Sequence, residues 1–203
     1  PKLKRIDGSA YFTQWEGKAP LLETIGENAD FTEWAGDATS LESIGRNAKF
    51  TYWKGKAPLL RSIGATATFT EWTQNAPSLE TIGSNAVFSG WEGNAPALGV
   101  IVGDADFIGW VGNAPVLEII GGKAMFLGWE HDAPSLQEIG GHAAFPMWEG
   151  QAPVLEHIGG SAILSNQYNN SLPRLKKIGR HADFGNWTGS VPMLQEVGGQ
   201  LRA

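Results

Sequence analysis

The chain has no cysteine among its 203 residues, which excludes disulfides, thiolate nucleophiles and Cys-ligated zinc. It has no run of 18 apolar residues, the length that a membrane-spanning helix needs, so we expect no insertion into a membrane. Basic residues are too few to balance the acidic ones, with 15 Lys and Arg against 21 Asp and Glu. Because binding to a phosphate backbone needs a basic surface, we expect no nucleic-acid partner.

Residues that make turns are abundant, with 27 Gly and 11 Pro, and they recur at regular intervals. Trp stands at positions 15, 34, 53, 72, 91, 110, 129, 148 and 187, so that the first eight are 19 residues apart. Each Trp follows a Phe by three residues. The consensus unit is x-L-E-x-I-G-x-N-A-x-F-T-x-W-x-G-x-A-P, and about ten units fit the chain. Such a period is typical of a solenoid, in which a unit buries its apolar side only by stacking on its neighbours.

The local pattern predicts an all-β or β-rich coil. Ala29-Asp30-Phe31 and its equivalents alternate with period two, as a strand with one buried face does. The Ala-Pro pair predicts a corner, because Pro fixes φ and disfavours helix in the residue before it. The Gly after each Ile is expected to adopt a positive φ at another corner. We therefore predict one elongated domain over residues 1–203, about 50 Å long at ~4.8 Å per coil, and expect it to be excised or processed from a longer chain.

The Phe and Trp registers predict two continuous internal stacks, in which each ring pair adds roughly 0.5–1.5 kcal/mol beyond burial. The alternative is a row of exposed Trp rings that binds a polysaccharide. Near-identity from coil to coil favours packing over a ligand site. Representative stack residues are Phe31, Trp34, Phe50, Trp53, Phe69, Trp72, Phe88, Trp91, Phe107, Trp110, Phe126 and Trp129.

Two polar columns have structural interpretations. Asn28, Asn47 and Asn85 recur before the strand Ala, where a stack of amides is expected to be structural. A column of Glu would place like charges one coil apart, which is unfavourable. Arg61 stands between Glu42 and Glu80 and relieves that repulsion, so we interpret this column as a solvated face.

Read as Leu-x-x-Ile-x-x-x-Ala-x-Phe-x-x-Trp, the unit resembles a short leucine-rich repeat, with Ala-x-Phe in place of the family's Leu-x-Leu strand. The run from Leu117 to Ala124 is also similar to the leucine-rich repeats of receptor L-domains and bacterial surface proteins. The resemblance covers the whole chain. Trp stands where that family has its Asn ladder, which favours a straighter coil than a horseshoe. The resemblance implies protein recognition or adhesion.

Function is expected at positions that the repeat leaves free to vary. The residue after Phe is Thr in the first four units, at 13, 32, 51 and 70, whereas the middle units are apolar there and elsewhere. We predict an exposed apolar patch that binds a protein partner or a second copy. Its candidate residues are Val87, Ile108, Val111, Met125, Leu127 and Met147.

One unit breaks the period, because residues 154–173 hold 20 residues. There Leu164 takes the Phe place and Tyr168 stands one residue late for the Trp place. We interpret the surplus residue as a bulge or a longer turn. The candidate binding loop consists of Asn166, Tyr168, Asn169 and Asn170.

Charge is also uneven along the chain. Between residues 78 and 173 there are ten Asp or Glu and one basic residue, Lys123. Basic residues cluster later, which would favour association between the ends and the middle of different copies. That cluster comprises Arg174, Lys176, Lys177, Arg180 and His181.

No catalytic set stands out. His142 and His181 occupy equivalent positions two coils apart, about 10 Å at strand spacing, which is too far for one metal ion. The Gly pairs recur once per unit as turns and form no phosphate-binding loop. We therefore predict no enzyme activity, no cofactor and no metal site.

The predicted function is a non-catalytic binding or scaffold module for protein recognition or adhesion, with an extracellular or cell-surface location favoured. The alternatives are a self-assembling structural fibre or surface-layer element, and a polysaccharide-binding or ice-binding β-solenoid that uses its Thr row.

Overall fold

The protein is described by a computed structural model that covers residues 2–164 and 171–203. Two parallel sheets of eleven strands each run along it, and the described residues contain no helix. Each coil gives one strand to each sheet, so we number the coils 1 to 11 by their strand pairs. The all-β solenoid of about ten 19-residue coils that the sequence predicts is confirmed.

Every strand in the described part of the chain is two residues long. The sheet of Ile strands comprises β1 (Arg5–Ile6), β3 (Thr24–Ile25), β5 (Ser43–Ile44), β7 (Ser62–Ile63), β9 (Thr81–Ile82), β11 (Val100–Ile101), β13 (Ile119–Ile120), β15 (Glu138–Ile139), β17 (His157–Ile158), β19 (Lys177–Ile178) and β21 (Glu196–Val197). The sheet of Ala strands comprises β2 (Ala10–Tyr11), β4 (Ala29–Asp30), β6 (Ala48–Lys49), β8 (Ala67–Thr68), β10 (Ala86–Val87), β12 (Ala105–Asp106), β14 (Ala124–Met125), β16 (Ala143–Ala144), β18 (Ala162–Ile163), β20 (Ala182–Asp183) and β22 (Leu201–Arg202).

The register advances by 19 residues per coil, as in the pairing of Ala29 with Ala48. Between coils 9 and 10 it advances by 20, since Ala162 pairs with Ala182 and Ile158 with Ile178. Both sheets therefore continue past the long unit, and its surplus residue lies between the end of β18 and the start of β19. The candidate loop residues Asn166, Tyr168, Asn169 and Asn170 lie outside the described residues.

The core is a column of repeated layers, and in coils 2 to 8 the Leu, Ile, Phe, Trp and two Ala of each unit point inward. In the long unit Leu164 takes the Phe place and Leu172 takes the place of the second Ala, and both are buried. The Trp side chains from Trp34 to Trp148 are 0–1% exposed. Phe50 stacks on Phe69 with ring centroids 5.0 Å apart, and Trp91 stacks on Trp110 at 5.2 Å. The predicted Phe and Trp stacks are thus confirmed, including every representative residue singled out from Phe31 to Trp129.

Buried indole N–H groups need acceptors, because an unpaired polar group is costly in the core. Trp53 donates from Nε1 to the carbonyl oxygen of Gly36 at 2.9 Å, and Trp110 donates to Gly93 at 2.8 Å. Each acceptor lies 17 residues earlier, in the preceding coil. The Trp column therefore adds a hydrogen-bond ladder between coils to the stacking of its rings.

The glycine after each Ile does not adopt a positive φ, so that expectation is wrong. At Gly83 the physical reason for glycine is contact, since a Cβ there would overlap the carbonyl oxygen of Gly64 in the preceding coil. Val102 departs from this column and still donates its N–H to Ile82 at 2.9 Å. In coils 1 to 8 and in coil 10, positive φ instead occurs two residues after Phe, for example at Tyr52 with φ of 52°.

Candidate interaction face

The outward side of the sheet of Ala strands, which we call the Ala-strand face, carries three columns of variable side chains. The ridge column follows the strand Ala and reads Tyr11, Asp30, Lys49, Thr68, Val87, Asp106, Met125, Ala144, Ile163, Asp183 and Arg202. The corner column precedes that Ala and reads Ser9, Asn28, Asn47, Thr66, Asn85, Asp104, Lys123, His142, Ser161, His181 and Gln200. The outer column follows Phe and includes Thr13, Thr32, Thr51, Thr70, Ser89, Ile108, Leu127 and Pro146.

The ridge and outer columns are direct neighbours. The Thr32 hydroxyl donates to the Asp30 carboxylate at 2.5 Å, and the Ile108 backbone N–H donates to Asp106 at 3.0 Å. The alternation of strand side chains places both columns on the same side of the sheet. The variable residues therefore form one surface rather than separate rows.

A groove runs between the corner and ridge columns, and its floor is the buried Ala of each strand. In coils 5 to 9 it encloses about 460 Å³, with Ala86, Ala105 and Ala124 among its lining residues. In the early coils a second stretch of about 540 Å³ lies over Ala29 and Ala48. Because every floor residue is small, the chemistry of the groove is set by its walls.

The two stretches of this groove differ in chemistry. Asp30, Lys49 and Thr68 line the early stretch, whereas Val87 and Met125 line the later one. The ridge therefore changes from polar to mainly apolar along the molecule, although Asp106 also lines the later stretch, and it becomes charged again at Asp183. This change lies in outward residues, since the core layers of coils 2 to 8 have the same composition.

The corner column also stabilises the stacking of coils. Asn47 donates from its side-chain amide to the Asn28 Oδ1 at 2.9 Å, which confirms a structural role for these amides. Asp104 accepts the backbone N–H of Lys123 at 2.7 Å. His142 accepts the backbone N–H of Ser161 through Nδ1 at 2.9 Å, and that nitrogen is therefore an acceptor.

The predicted apolar patch is only partly brought together. Val87 and Met125 lie on the ridge column, and Ile108 and Leu127 lie beside them on the outer column. The side chains of Ile108 and Met125 are exposed, and those of Val87 and Leu127 are partly exposed. Ala144, Pro146 and Ile163 extend this patch, and the 19-residue offset could have identified them. The patch of coils 5 to 9 is therefore larger along the solenoid than the sequence candidates suggest.

Val111 and Met147 are the two candidates that do not join this patch. Met147 lines a different cavity with Glu130 and Glu149, and Val111 stands one coil before Glu130 in the same column. The positive φ of the residue before each Trp, 55° at Met147, turns the chain onto another side of the coil. The six candidates therefore lie on two sides of the coil, and their role in binding stays a prediction.

The column of Glu lies near the sheet of Ile strands and is solvated, as predicted. Arg61 lies 3.6 Å from Glu80. Lys176 donates to Glu156 at 2.7 Å, and this hydrogen bond lowers the pKa of the Glu156 carboxyl. Lys4 bonds Glu23 at 2.6 Å, which raises the pKa of the Lys4 ammonium. Basic residues interspersed in this column therefore offset part of the repulsion between its Glu side chains.

The described residues hold no group of three His, Asp or Glu side chains placed to bind a metal ion. They also form no helix long and apolar enough to cross a membrane. No protein-family model matches the chain, and no curated protein or solved structure is significantly similar to it. The molecule is a parallel β-solenoid with an aromatic core and one grooved, variable face.

Proposed function

We propose that the chain is a non-catalytic recognition or scaffold module that binds protein through the Ala-strand face. The observation that carries the proposal is the groove, which has an unvarying floor and variable walls. Apolar residues exposed together on a soluble surface favour a partner. The patch around Met125 and Leu127 provides such residues in the middle of the groove.

The resemblance to leucine-rich repeats supports the same assignment. In both cases a short strand alternates an inward residue that packs with an outward residue that is free to vary. In this chain Ala124 is buried while Met125 beside it is 38% exposed. We infer that the outward residues carry specificity for a protein partner, in recognition or adhesion.

The Trp rings give little support to a polysaccharide platform. Stacking on a sugar needs an exposed ring face, whereas the rings from Trp34 to Trp148 are buried. The Thr row is a single column, and the Thr32 hydroxyl is bonded to Asp30, so it lacks the flat array that ice binding needs. Protein recognition is therefore the function that this surface favours.

Selection of a displayed peptide and domain library against the purified chain tests the proposal. We expect binders whose binding is lost when Met125→Glu and Leu127→Glu are combined. The matched control combines Val111→Glu with Met147→Glu, which makes two apolar-to-acidic changes on another side and should leave binding intact. Binders that respond only to the control pair would contradict the assignment, and circular dichroism confirms that both variants are folded.

A further inference from the structure

We propose that the partner of the Ala-strand face is a second copy of the chain, packed face to face and antiparallel so that coil n lies opposite coil 13 − n. This inference rests on the proposed function, because it names the partner of the same face. Three observations carry it: the spacing of the columns, the order of the charges along them, and the area of the face.

The spacing of the columns favours another solenoid over a single extended peptide. Neighbouring strands lie about 4.8 Å apart, so side chains of one column repeat at that distance. A peptide strand laid along the groove repeats its same-side residues about every 6.6 Å and falls out of step within a few coils. A second copy has the same repeat and stays in step along the whole face.

Two-fold symmetry reduces the possible arrangements to a few. One possible two-fold axis lies between the two faces and is perpendicular to the long axis of the solenoid. It places the ridge column of one copy on the partner's ridge column and the corner column on the partner's corner column, with the order of coils reversed. An axis along the solenoid would instead place each ridge residue on itself, including Asp106 on the partner's Asp106. Like charges in direct opposition are unfavourable, which excludes the parallel pair.

In the antiparallel pair, the register is fixed by the sum of the facing coil numbers. A sum of 13 places Asp104 of coil 6 opposite the partner's Lys123 of coil 7. The same register places Lys49 opposite the partner's Asp183, and Asp30 opposite the partner's Arg202. Symmetry makes each contact occur twice, so a single register forms six pairs of opposite charge.

The apolar residues match in this register as well. Ile108 of coil 6 faces the partner's Leu127 of coil 7, and Val87 faces the partner's Ala144. Two contacts are exceptions: Ile163 of coil 9 faces the partner's Thr68, and Asp106 faces the partner's Met125. Asp106 lies beside Asp104 in the same coil, so the partner's Lys123 is flanked by two carboxylates.

Neighbouring registers oppose like charges. A sum of 12 places Asp104 on the partner's Asp104, and Asp30 on the partner's Asp183. A sum of 14 places Lys123 on the partner's Lys123, and Lys49 on the partner's Arg202. Shifts of one coil in either direction therefore convert attraction into repulsion, which selects the sum of 13.

The available area suits a small dimer. In this register coils 2 to 11 face each other, and nine spacings of about 4.8 Å with a width of four residues at about 3.3 Å give a face of about 43 by 13 Å, or roughly 560 Å² per copy. The pair would bury about 1,120 Å² in total, which is slightly below the standard size of a specific interface and above the ~1,000 Å² that one needs.

Sedimentation equilibrium of charge-reversal variants tests the register. Wild type should dimerise reversibly. Asp104→Lys alone and Lys123→Asp alone should each weaken dimerisation by about tenfold or more, because like charges then face each other. The double variant, Asp104→Lys with Lys123→Asp, should recover to within about threefold of wild type, since opposite charges face each other again.

Further variants keep the test decisive. Within one copy Lys49 lies 4.0 Å from Asp30, and Arg202 lies 3.9 Å from Asp183, so each pair is reversed as a unit. Asp30→Lys with Lys49→Asp should weaken dimerisation, and the addition of Asp183→Lys with Arg202→Asp should restore it, in case the Asp104 change perturbs folding. Glu118→Lys reverses a charge near the other sheet and should leave dimerisation unchanged. A dimer that ignores both pairs of reversals overturns the arrangement.

The two proposals fail differently. A wild-type chain that remains monomeric at about millimolar concentration overturns the second-copy inference. If library binders still depend on Met125 and Leu127 in that case, the face remains a recognition surface for other proteins. If binders ignore those residues, the proposed function fails by itself.

Discussion

Trp91 donates a hydrogen bond from Nε1 to the carbonyl oxygen of Gln74 at 2.9 Å, although the two residues belong to different coils. The same ring stacks on Trp72 at 5.5 Å and on Trp110 at 5.2 Å. Each indole from Trp34 to Trp148 therefore contributes both a packing surface and a hydrogen bond between neighbouring coils.

Replacing Trp91 by Ala should lower the free energy of unfolding by about 3–5 kcal/mol, because it removes a buried ring and leaves a cavity. Trp91→Phe should cost less, since a ring remains while Gln74 loses its donor. Urea unfolding followed by circular dichroism measures both. Glu92→Ala, at the exposed next position, should change stability by less than about 0.5 kcal/mol. An unchanged midpoint for Trp91→Ala would show that the ring is not a core element.

Gly83→Ala should destabilise the coil by about 1–3 kcal/mol, because the new methyl group overlaps the carbonyl oxygen of Gly64 and forces adjacent coils apart. Gly8→Ala is the matched control, since nothing lies within 4 Å of a Cβ at that position. Thermal unfolding compares the two. Equal melting temperatures would mean that close contact between coils does not explain the glycine column.

Tyr52→Gly should stabilise the protein by about 0.5–1 kcal/mol. A non-glycine residue in the left-handed region carries about 1–2 kcal/mol of strain, and the greater freedom of glycine in the unfolded chain offsets part of the relief. The reciprocal change, Gly109→Ala at φ of 66°, should destabilise by a similar amount, because the nearest atom leaves room for a methyl group. Opposite signs in denaturant titrations are the expected result, and a loss of stability in both variants would contradict the strain argument.

Lys176→Met should raise the pKa of Glu156 toward its ordinary value of 4.5, because the lowering comes first from the hydrogen bond that Lys176 donates. A carboxyl whose folded pKa is depressed stabilises the fold above its unfolded pKa, and this contribution is lost as pH falls through the folded pKa. The substitution should therefore remove a stabilising contribution present above about pH 4.5. Carboxyl NMR titration measures the shift.

The control for this titration is Lys177→Met. Lys177 lies 3.0 Å from Glu196 and points away from Glu156, so its removal should leave the Glu156 titration in place. A Glu156 pKa that moves equally in both variants would indicate a general charge effect rather than the specific hydrogen bond.

The architecture was predictable because the Phe and Trp spacing records which side chains share a layer. The reason for the glycine column was not predictable. The sequence shows that glycine recurs at the position of Gly83 in most units, but it does not show whether a positive φ or a close contact requires glycine there. Tyr52 illustrates the complementary difficulty, because its side chain carries no signal of a left-handed backbone.

The candidate site was predictable in part for a related reason. Ile108 and Val111 are three residues apart and equally apolar in sequence, yet the turn at Gly109 sends them to different sides of the coil. The side of the coil on which each residue lies depends on that turn, and the pattern of apolar residues does not predict the turn. The columns of the Ala-strand face follow directly once the turn is placed.

Because the period is 19 residues, the number of coils determines which charges face each other in the proposed dimer, as well as the length of the core. Removal of residues 62–80 would leave identical layers in contact and keep the core continuous. In the antiparallel pair, however, it would change the sum for Asp30 and Arg202 to 12, and the sum for Asp104 and Lys123 to 11. The central and outer charge pairs can therefore form in the same dimer only when the number of coils between them is unchanged.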